Sequence, residues 1–382
     1  MRTALTEMFG IEAPIFAFSH CRDVVVEVSK AGGIGVLGAT RFNPKQLETE
    51  LAWIDQHIGG RPYGVDVLIP QKSRTSAPSA STESPPSDST APFKNLTIPK
   101  ETIEWLEGIM RRYDVPPLPS EQKDLAERRQ ARHAAQSPRS HAGELIEVAL
   151  QHPLKLLVSA LGPPPAEFVT RAHSMGARVC GLVGKPEHAT KQREAGVDFV
   201  VATGTEAGGH TGYISTMVLV PQIVDVVSPL PVVAAGGIAN GRQMAAALAL
   251  GAEGVWCGSV WLTSAQSEVS PQLKERLLKA KSEDAILSKV WSGKNCRILR
   301  SKFTEAWDEP GAPATLDYPA QNALKDQYMQ RIERYGKEEL LSYPIGQVVG
   351  QLKQETTVRQ IFYEILSEFA DTAVRFSSLS AR

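Results

Sequence analysis

The sequence predicts a (β/α)8 barrel, in which eight parallel strands close into a cylinder and helices cover its outer surface. Three observations support this fold class. Short β-branched runs alternate with helical stretches along the chain, and this alternation calls for parallel strands covered by helices. About eight such βα units extend over roughly 260 residues, which fits a closed barrel better than an open doubly wound sheet. The 42% content of hydrophobic residues is typical of a globular protein.

The predicted elements follow one another in strand–helix order from the N-terminus. Gly32 is predicted to close the first interstrand helix, because glycine readily adopts the left-handed conformation that ends a helix. The strands are predicted at residues 14–17, 33–38, 63–69, 154–160, 178–182, 197–202, 231–235 and 254–257. Helices between them are predicted at residues 23–32, 44–58, 165–175, 186–195, 218–227 and 242–250.

A long insert at residues 71–143 follows the third strand. Residues 73–92 are rich in Ser, Pro and Thr and are predicted to form a loosely held loop. Helices are predicted at residues 100–112 and 121–135. The insert leaves the C-terminal end of a barrel strand, where active sites of this fold lie. It could therefore act as a lid, and a solvent-exposed excursion is the alternative.

The insert divides the predicted barrel into residues 1–70 and 144–320. Residues 321–382 follow as a mostly helical C-terminal segment. This segment could close over the barrel or form the contact of a homodimer.

Composition excludes several classes of partner. A formal net charge of −1 gives no reason to expect nucleic acid or an anionic membrane. No stretch approaches the roughly 20 apolar residues of a transmembrane helix, and the N-terminus lacks the apolar core of a signal peptide. The histidines lack metal-ligand spacing, so no metal is predicted. A reduced, cytoplasmic protein is predicted from four widely separated cysteines, Cys21, Cys180, Cys257 and Cys296.

A glycine-rich loop with one histidine follows the sixth predicted strand. Gly208 and Gly209 would let a ligand approach the backbone closely. His210 would lie at the same rim, where an imidazole could move a proton near neutral pH. A turn with a surface histidine is the alternative interpretation of this segment alone.

Two further glycine-rich loops follow the seventh and eighth predicted strands, with Gly236-Gly237 in the first and Gly258-Ser259 in the second. Loops at these positions of a barrel commonly bind phosphate through backbone N–H groups and a short helix N-terminus. The alternative is a pair of tight turns. Gly33-x-Gly35-x-x-Gly38 matches the dinucleotide fingerprint only by its letters, because a helix rather than a strand precedes it.

Polar residues at other strand ends would meet at the same rim. Asp66 could bind a cofactor ring or cap its own loop, and Ser19, His20 and Ser159 occupy similar positions. Each alone is more often structural, but one barrel rim would gather all four into a cofactor-binding set.

These motifs resemble the nitronate monooxygenase family, formerly called 2-nitropropane dioxygenases, in its longer bacterial form. The resemblance covers nearly the whole chain outside the insert and is carried by six stretches. They are Ala31-Gly32-Gly33-Ile34-Gly35, Glu206-Ala207-Gly208-Gly209-His210-x-Gly212, Ala234-Ala235-Gly236-Gly237-Ile238, Gly254-Val255-Trp256-Cys257-Gly258-Ser259, the stretch from Ser292-Gly293-Lys294 through Phe303, and Pro344-Ile345-Gly346-Gln347-Val348-Val349-Gly350.

The resemblance implies a TIM barrel that holds FMN without a covalent bond. It implies a catalytic role for His210, on a substrate that the flavin oxidises before it reduces O2. Alkyl nitronates would give a carbonyl compound and nitrite. The cofactor contacts that it implies are Phe18, Ser19 and His20 along the flavin, Asp66 and Thr203 at the isoalloxazine, and Gly208, Gly209, Gly236, Gly237, Gly258 and Ser259 at the ring edge and phosphate.

Three positions depart from the family's usual residues. Phe18-Ser19-His20 stands where Ala-Pro-Met is frequent, Asp66 where Asn is common, and Thr203 where Gln is common. A carboxylate at position 66 would disfavour an anionic substrate or an anionic reduced flavin unless it were protonated or paired. His20 is a candidate for that pairing.

Two other functions compete with nitronate oxidation. The first is an FMN-dependent NAD(P)H oxidoreductase that acts on a quinone or an enoyl or CoA-type substrate. The second is a non-catalytic protein that binds a flavin or another phosphate ligand. Bleaching of the flavin by nicotinamides or by nitronates without oxygen would separate the first from the leading hypothesis.

Overall fold

The computed structural model describes residues 1–68, 98–119 and 142–380. Within these ranges, eight parallel strands close into a barrel, and the last strand pairs with the first. The barrel strands are β1 (Ile15–Ser19), β2 (Ile34–Gly38), β3 (Tyr63–Val67), β4 (Leu156–Ser159), β5 (Arg178–Val183), β6 (Phe199–Thr203), β8 (Val232–Ala235) and β9 (Gly254–Cys257). All eight predicted strands are therefore confirmed, and so is the TIM barrel.

Helices cover the outside of this barrel and extend the chain beyond it. Their bounds are α1 (Ala4–Phe9), α2 (Arg22–Ala31), α3 (Pro44–His57), α4 (Lys100–Arg112), α5 (Ala142–Ala149), α6 (Ala166–Ser174), α7 (Pro186–Glu194), α8 (Thr216–Val227), α9 (Gly241–Ala249), α10 (Pro271–Lys279), α11 (Lys302–Ala306), α12 (Ala320–Arg334) and α13 (Val358–Ser380). The predicted helix at 121–135 and the predicted loop at 73–92 lie outside the described residues. Among the described helices, none is long and apolar enough to cross a membrane.

Local sequence explains the ends of these helices. Asn43 and Gln46 each accept a hydrogen bond from the other's backbone N–H, and Pro44 occupies the first helical position of α3. This capping box satisfies donors that the first turn leaves free. At the other end of a helix, Gly32 closes α2 in the left-handed conformation at a φ of 108°, as predicted.

Two apolar cores lie on opposite sides of the barrel wall. The outer core lies between the strands and the surrounding helices, where Leu47, Leu51 and Ile54 of α3 are buried. The inner core fills the barrel itself. At its N-terminal end, Phe9 of α1 meets Phe16 and Phe199 at ring-centroid distances of 5.9 Å each. Helix α1 therefore closes that end of the barrel.

A small antiparallel sheet outside the barrel was not predicted from the sequence. It consists of β10 (Ala285–Ser288), β11 (Cys296–Leu299) and the two-residue strand β7 (Gly209–His210). Cys296 pairs with His210 and Arg297 with Gly209. The loop that carries His210 is thus held by a part of the chain that follows the last barrel strand.

Helices α12 and α13 of the C-terminal segment lie at different places on the barrel. Helix α13 packs on the outside of the barrel against α2 and α9, where Gly241 allows the backbones of α9 and α13 to approach closely. Helix α12 lies at the C-terminal mouth of the barrel and contributes to a cavity there. A role of this segment in closing over the barrel, or in a homodimer contact, stays a prediction.

Candidate active site

A cavity of about 1620 Å³ opens at the C-terminal ends of the barrel strands. This end carries the active sites of enzymes with this fold. Twelve of the thirteen residues predicted from the sequence line it. They are Phe18, Ser19, His20, Asp66, Thr203, Gly208, Gly209, His210, Gly236, Gly237, Gly258 and Ser259.

Ser159 is the predicted residue that the structure leaves out of this cavity lining. It ends β4, is fully buried and donates a hydrogen bond from its hydroxyl to the carbonyl of Gly162 at 2.7 Å. The hydroxyl thus satisfies a carbonyl of the following loop. Its position in the sequence at a strand end could not distinguish this local bond from a ligand contact.

The floor of the cavity is the uppermost layer of the barrel interior. Phe18 and Trp256 stack with a centroid separation of 6.4 Å and an interplanar angle of 26°. Asp66, Leu182 and Thr203 from three other strands complete this layer. The floor is therefore mostly apolar and aromatic, with one carboxyl group in it.

Asp66 is a buried acid without a partner. Its side chain is 4% exposed, and its Oδ1 is enclosed without a hydrogen bond to any described residue. Burial raises the pKa of Asp66 from 3.8 to about 8, because the charged form loses its hydration. The carboxyl group is therefore mainly protonated at neutral pH.

His20 does not pair with Asp66, and the expectation that it would is wrong. Its Nδ1 lies 2.8 Å from the carbonyl of Gly38, which can only accept, so Nδ1 carries the proton and Nε2 is free of one. The ring also meets Phe18 edge-on at 5.2 Å. Burial, with the charge of Arg41, lowers the pKa of His20 to about 4, so the imidazole has no positive charge to offer a carboxylate.

Backbone N–H groups form the other polar part of the cavity. Those of Gly237, Gly258 and Ser259 make no hydrogen bond within the described ranges. Gly236 has a φ of 94°, and a Cβ there would lie 2.9 Å from the carbonyl oxygen of Gly204. Only glycine fits this turn without displacing the backbone. Free amides at the start of the short helix Ser259–Trp261 make a site suited to an anion.

A loop from the C-terminal part of the chain supports this amide cluster. The Ser259 hydroxyl accepts a hydrogen bond from the N–H of Gly346 at 2.8 Å. The N–H of Gln347 donates to the carbonyl of Glu206 at 3.0 Å. A Cβ on Gly208 would lie 2.7 Å from the carbonyl carbon of Ile345. These close contacts explain why glycines recur on both loops.

His210 lies in the wall of the cavity on β7. Its Nε2 is 2.7 Å from the hydroxyl of Ser292, and its Nδ1 has no hydrogen-bond partner among the described residues. Although the side chain is accessible from the cavity, the surrounding protein removes much of its hydration. This desolvation, together with the charges of Lys294 and Lys325, lowers the pKa of His210. The imidazole is therefore mainly neutral at pH 7.

Cationic side chains on aromatic rings surround the mouth, and sequence reasoning missed them. Lys294 lies 5.1 Å from the ring centre of Tyr318, and Lys325 lies 4.0 Å from that of Trp291. Arg41 donates to the hydroxyl of Tyr343 at 2.8 Å. The partners are far apart in sequence in all three pairs, so no local motif marks them. Ser292 and Lys294 did stand in a recognised motif, but nothing there linked them to His210.

Part of the predicted insert also reaches the mouth. Within residues 98–119, Glu107 of α4 binds Arg331 of α12, and it accepts a hydrogen bond from the hydroxyl of Tyr328 at 3.1 Å. Arg331 also donates to the carbonyls of Val115 and Pro116 at 3.0 and 3.2 Å. This segment and α12 therefore form a single wall above the cavity. A lid role for the insert stays a prediction.

The polar groups of the cavity fit a flavin. Free amides at one side suit a phosphate group, and the apolar floor suits a planar ring. The enclosed Oδ1 of Asp66 has no hydrogen-bond partner among the described residues, and a flavin ring could supply one. Buried polar groups are rarely left unpaired, so its isolation indicates a missing ligand contact.

Comparison with known proteins agrees with this interpretation. The sequence profile of the family described as "Nitronate monooxygenase" matches residues 115–368. The chain belongs to the nitronate monooxygenase family. It is 45% identical to "Putative monooxygenase Rv1533" of Mycobacterium tuberculosis, with 100% of both chains covered. It is 31% identical to a "Probable nitronate monooxygenase" of Staphylococcus aureus strain Newman, with 91% of both covered.

Solved structures also match this chain over almost its whole length. FabK from Thermotoga maritima is 26% identical, with a TM-score of 0.71 and 99% of both chains covered. A nitroalkane oxidase from Streptomyces ansochromogenes has a TM-score of 0.75, with 98% of this chain and 100% of that chain covered. At 23% identity, this second likeness concerns the fold. Family membership makes the protein a flavin-dependent oxidoreductase.

Proposed function

We propose that the protein is an FMN-dependent enzyme that oxidises alkyl nitronates with O2. In the net reaction, two nitronate anions and one O2 give two carbonyl compounds and two nitrite anions. This equation balances in atoms and in charge. A bound flavin would supply the redox chemistry that links oxidation of the nitronate to reduction of O2.

The amide cluster is the part of the site that would hold the FMN phosphate. Gly237, Gly258 and Ser259 offer free N–H groups, which bind an anion without a lysine or arginine. Phe18 and Thr203 belong to the floor on which the isoalloxazine would lie. These contacts would fix the cofactor and leave His210, which also lines the cavity, for the substrate.

The observation that carries the proposal is the state and setting of His210. A neutral imidazole can accept a proton from a nitroalkane through its free Nδ1, or donate a hydrogen bond to a nitronate. Lys294, which helps to keep His210 neutral, adds positive charge on the same wall. A nitronate is an anion, and this combination favours its binding over that of a neutral compound.

The proposal is tested by combining cofactor analysis with a product assay. The purified protein should release FMN on denaturation. It should consume O2 and form nitrite when it is supplied with a small alkyl nitronate. His210→Asn should lower kcat/KM by about 100-fold or more, the scale of losing one acid–base group. His57→Asn, on the exposed end of α3 outside the barrel, is the matched control and should leave turnover unchanged.

The pH profile provides a second readout for His210. Because the neutral imidazole is the active form, turnover should fall as pH decreases through the lowered pKa of His210. His210→Asn should remove that limb. A holoprotein that contains FMN but forms no nitrite from any small nitronate would contradict the proposed reaction.

A second candidate is an FMN-dependent NAD(P)H oxidoreductase for a quinone or an enoyl or CoA-type substrate. The size of the cavity supports this second candidate, because about 1620 Å³ exceeds the roughly 300–1,000 Å³ of typical ligand sites. Such a volume could hold a flavin beside a second large ligand. Anaerobic mixing with NADH or NADPH decides the matter, since only this candidate predicts rapid bleaching of the flavin by a nicotinamide.

A further inference from the structure

Asp66 stands out as an ionisable group in the cavity floor whose Oδ1 has no hydrogen-bond partner among the described residues. It projects from β3 into the top layer of the barrel interior, beside Val158 of the paired strand β4. Its Oδ1 is enclosed, and its side chain borders the cavity. An acid in this position must either be neutral or be matched by a positive charge.

No positive charge faces Asp66 closely enough to form an ion pair within the described residues. On the side of β2, the group next to it is His20, whose ring lies over Gly38, the register partner of Asp66. On the side of β5, it is the thiol of Cys180, which is itself fully buried. Arg41 follows β2 on the short helix Ala39–Arg41, and its guanidinium is directed to Tyr343.

Gly38 explains why His20 lies beside Asp66 without binding it. A Cβ on Gly38 would lie 2.6 Å from Nδ1 of His20 and 2.8 Å from the ring of Phe18. Because Gly38 has no side chain, the imidazole fits beside it, and the ring's one N–H group donates a hydrogen bond to the Gly38 carbonyl. His20 therefore presents an acceptor, and the one mobile proton of this pair of groups belongs to Asp66.

We propose that Asp66 acts as a neutral carboxylic acid and donates its proton in a hydrogen bond to the flavin ring, at a carbonyl oxygen or an imine-type nitrogen. This inference rests on the proposed binding of a flavin in the cavity. Asp66 thus positions the ring through a donor that a carboxylate cannot provide. It is a cofactor contact and exchanges no proton with the substrate.

This donor makes flavin affinity depend on pH. Deprotonation removes the hydrogen bond and leaves an unpaired negative charge against an electron-rich ring. Since burial places the pKa of Asp66 at about 8, FMN should bind about tenfold more weakly at pH 9 than at pH 7 if only the neutral acid binds it. His20 does not contribute in this range, because its pKa lies near 4.

The test measures the dissociation constant of FMN for flavin-free full-length protein at pH 7 and pH 9, followed by flavin fluorescence. Wild type should lose about tenfold in affinity. Asp66→Asn keeps the shape and an N–H donor, so its affinity should change by less than about twofold over the same range. Asp225→Asn, an exposed carboxylate on α8, is the matched control and should behave as wild type.

Infrared spectroscopy reports the protonation state directly and without turnover. Wild type at pH 7 should have the carbonyl stretch of a protonated carboxylic acid, which shifts when FMN binds and is missing in Asp66→Asn. Equal affinity of wild type at both pH values, or a tenfold loss that persists in Asp66→Asn, would overturn the inference. Failure of wild type to bind FMN at pH 7 would instead overturn the proposed function, and this inference with it.

Discussion

The two ends of the barrel are built from the same strands but meet opposite demands. At the N-terminal end, Phe9 packs edge to face against Phe16 and Phe199, and this aromatic cluster belongs to the apolar inner core. At the C-terminal end, the interior layer contains Asp66 and Thr203, and the loops above it expose unpaired amides. The N-terminal end is packed by side chains of the protein itself, whereas the C-terminal end has polar groups that are available to a ligand.

This difference separates stability from chemistry along each strand. In β6, Phe199 belongs to the closed end, and Thr203, four residues later, borders the cavity. In β1, Phe16 and Phe18 divide in the same way. Changes at the closed end should therefore alter unfolding, and changes at the open end should alter ligand binding or its dependence on pH.

The largest effect is expected at the closed end. Phe199→Ala removes a fully buried ring that touches Phe9 and Phe16, and should lower the free energy of unfolding by about 3–5 kcal/mol. Denaturant unfolding measures this loss. FMN affinity of the protein that stays folded should match wild type. A large loss of affinity without a loss of stability would break the separation between the ends.

At the open end, Asp66 should cost stability as pH rises. Its pKa is about 8 in the folded protein and near 3.8 otherwise, so the folded state retains a proton that the unfolded state releases. Between pH 5 and pH 8 this lowers the free energy of unfolding by roughly 3–4 kcal/mol. Asp66→Asn should remove this pH dependence. The free energy of unfolding of the variant, relative to that of wild type, should therefore be higher at pH 8 than at pH 5. If the difference in free energy of unfolding between wild type and Asp66→Asn is the same at pH 5 and pH 8, this expectation is contradicted.

Two glycines with positive φ provide a smaller and more direct comparison. Gly236→Ala at the open end would bring a Cβ within 2.9 Å of the Gly204 carbonyl, whereas Gly176→Ala near the start of β5 meets nothing within 4 Å. Both substitutions strain the backbone by about 1–2 kcal/mol. Gly236→Ala should also weaken FMN binding at least tenfold, by displacing the amide cluster (about 1.4 kcal/mol). FMN titration of both variants checks this, and equal affinities would contradict it.

The smallest effect is expected for Ser159→Ala. This substitution removes the hydroxyl that bonds the Gly162 carbonyl, so the free energy of unfolding should fall by about 0.5–1.5 kcal/mol. Because Ser159 lies outside the cavity lining, FMN affinity should change by less than about twofold. A larger change in affinity would restore Ser159 to the cofactor set predicted from the sequence.

The barrel was predictable because its signals are local. Each strand is a short apolar run, and the glycines that close turns stand beside the runs they follow. The rim residues followed from this, because strand ends meet at one face. The partner of His210 was not predictable, since Ser292 is 82 residues away in the chain. The neutral state of Asp66 was not predictable either, because its pKa depends on burial and on the groups that the other seven strands place around it.

The strand pairing of His210 also sets an order of events during synthesis. All eight barrel strands are complete once Cys257 has been made, but β7 has no partner until Cys296 and Arg297 follow. A nascent chain can therefore pair all eight barrel strands while His210 still lacks its strand partners and the amide cluster still lacks its contact with Gly346. The site is thus completed after the barrel, and a chain released early would lack both the α12 wall of the cavity and the strand pairing that positions His210.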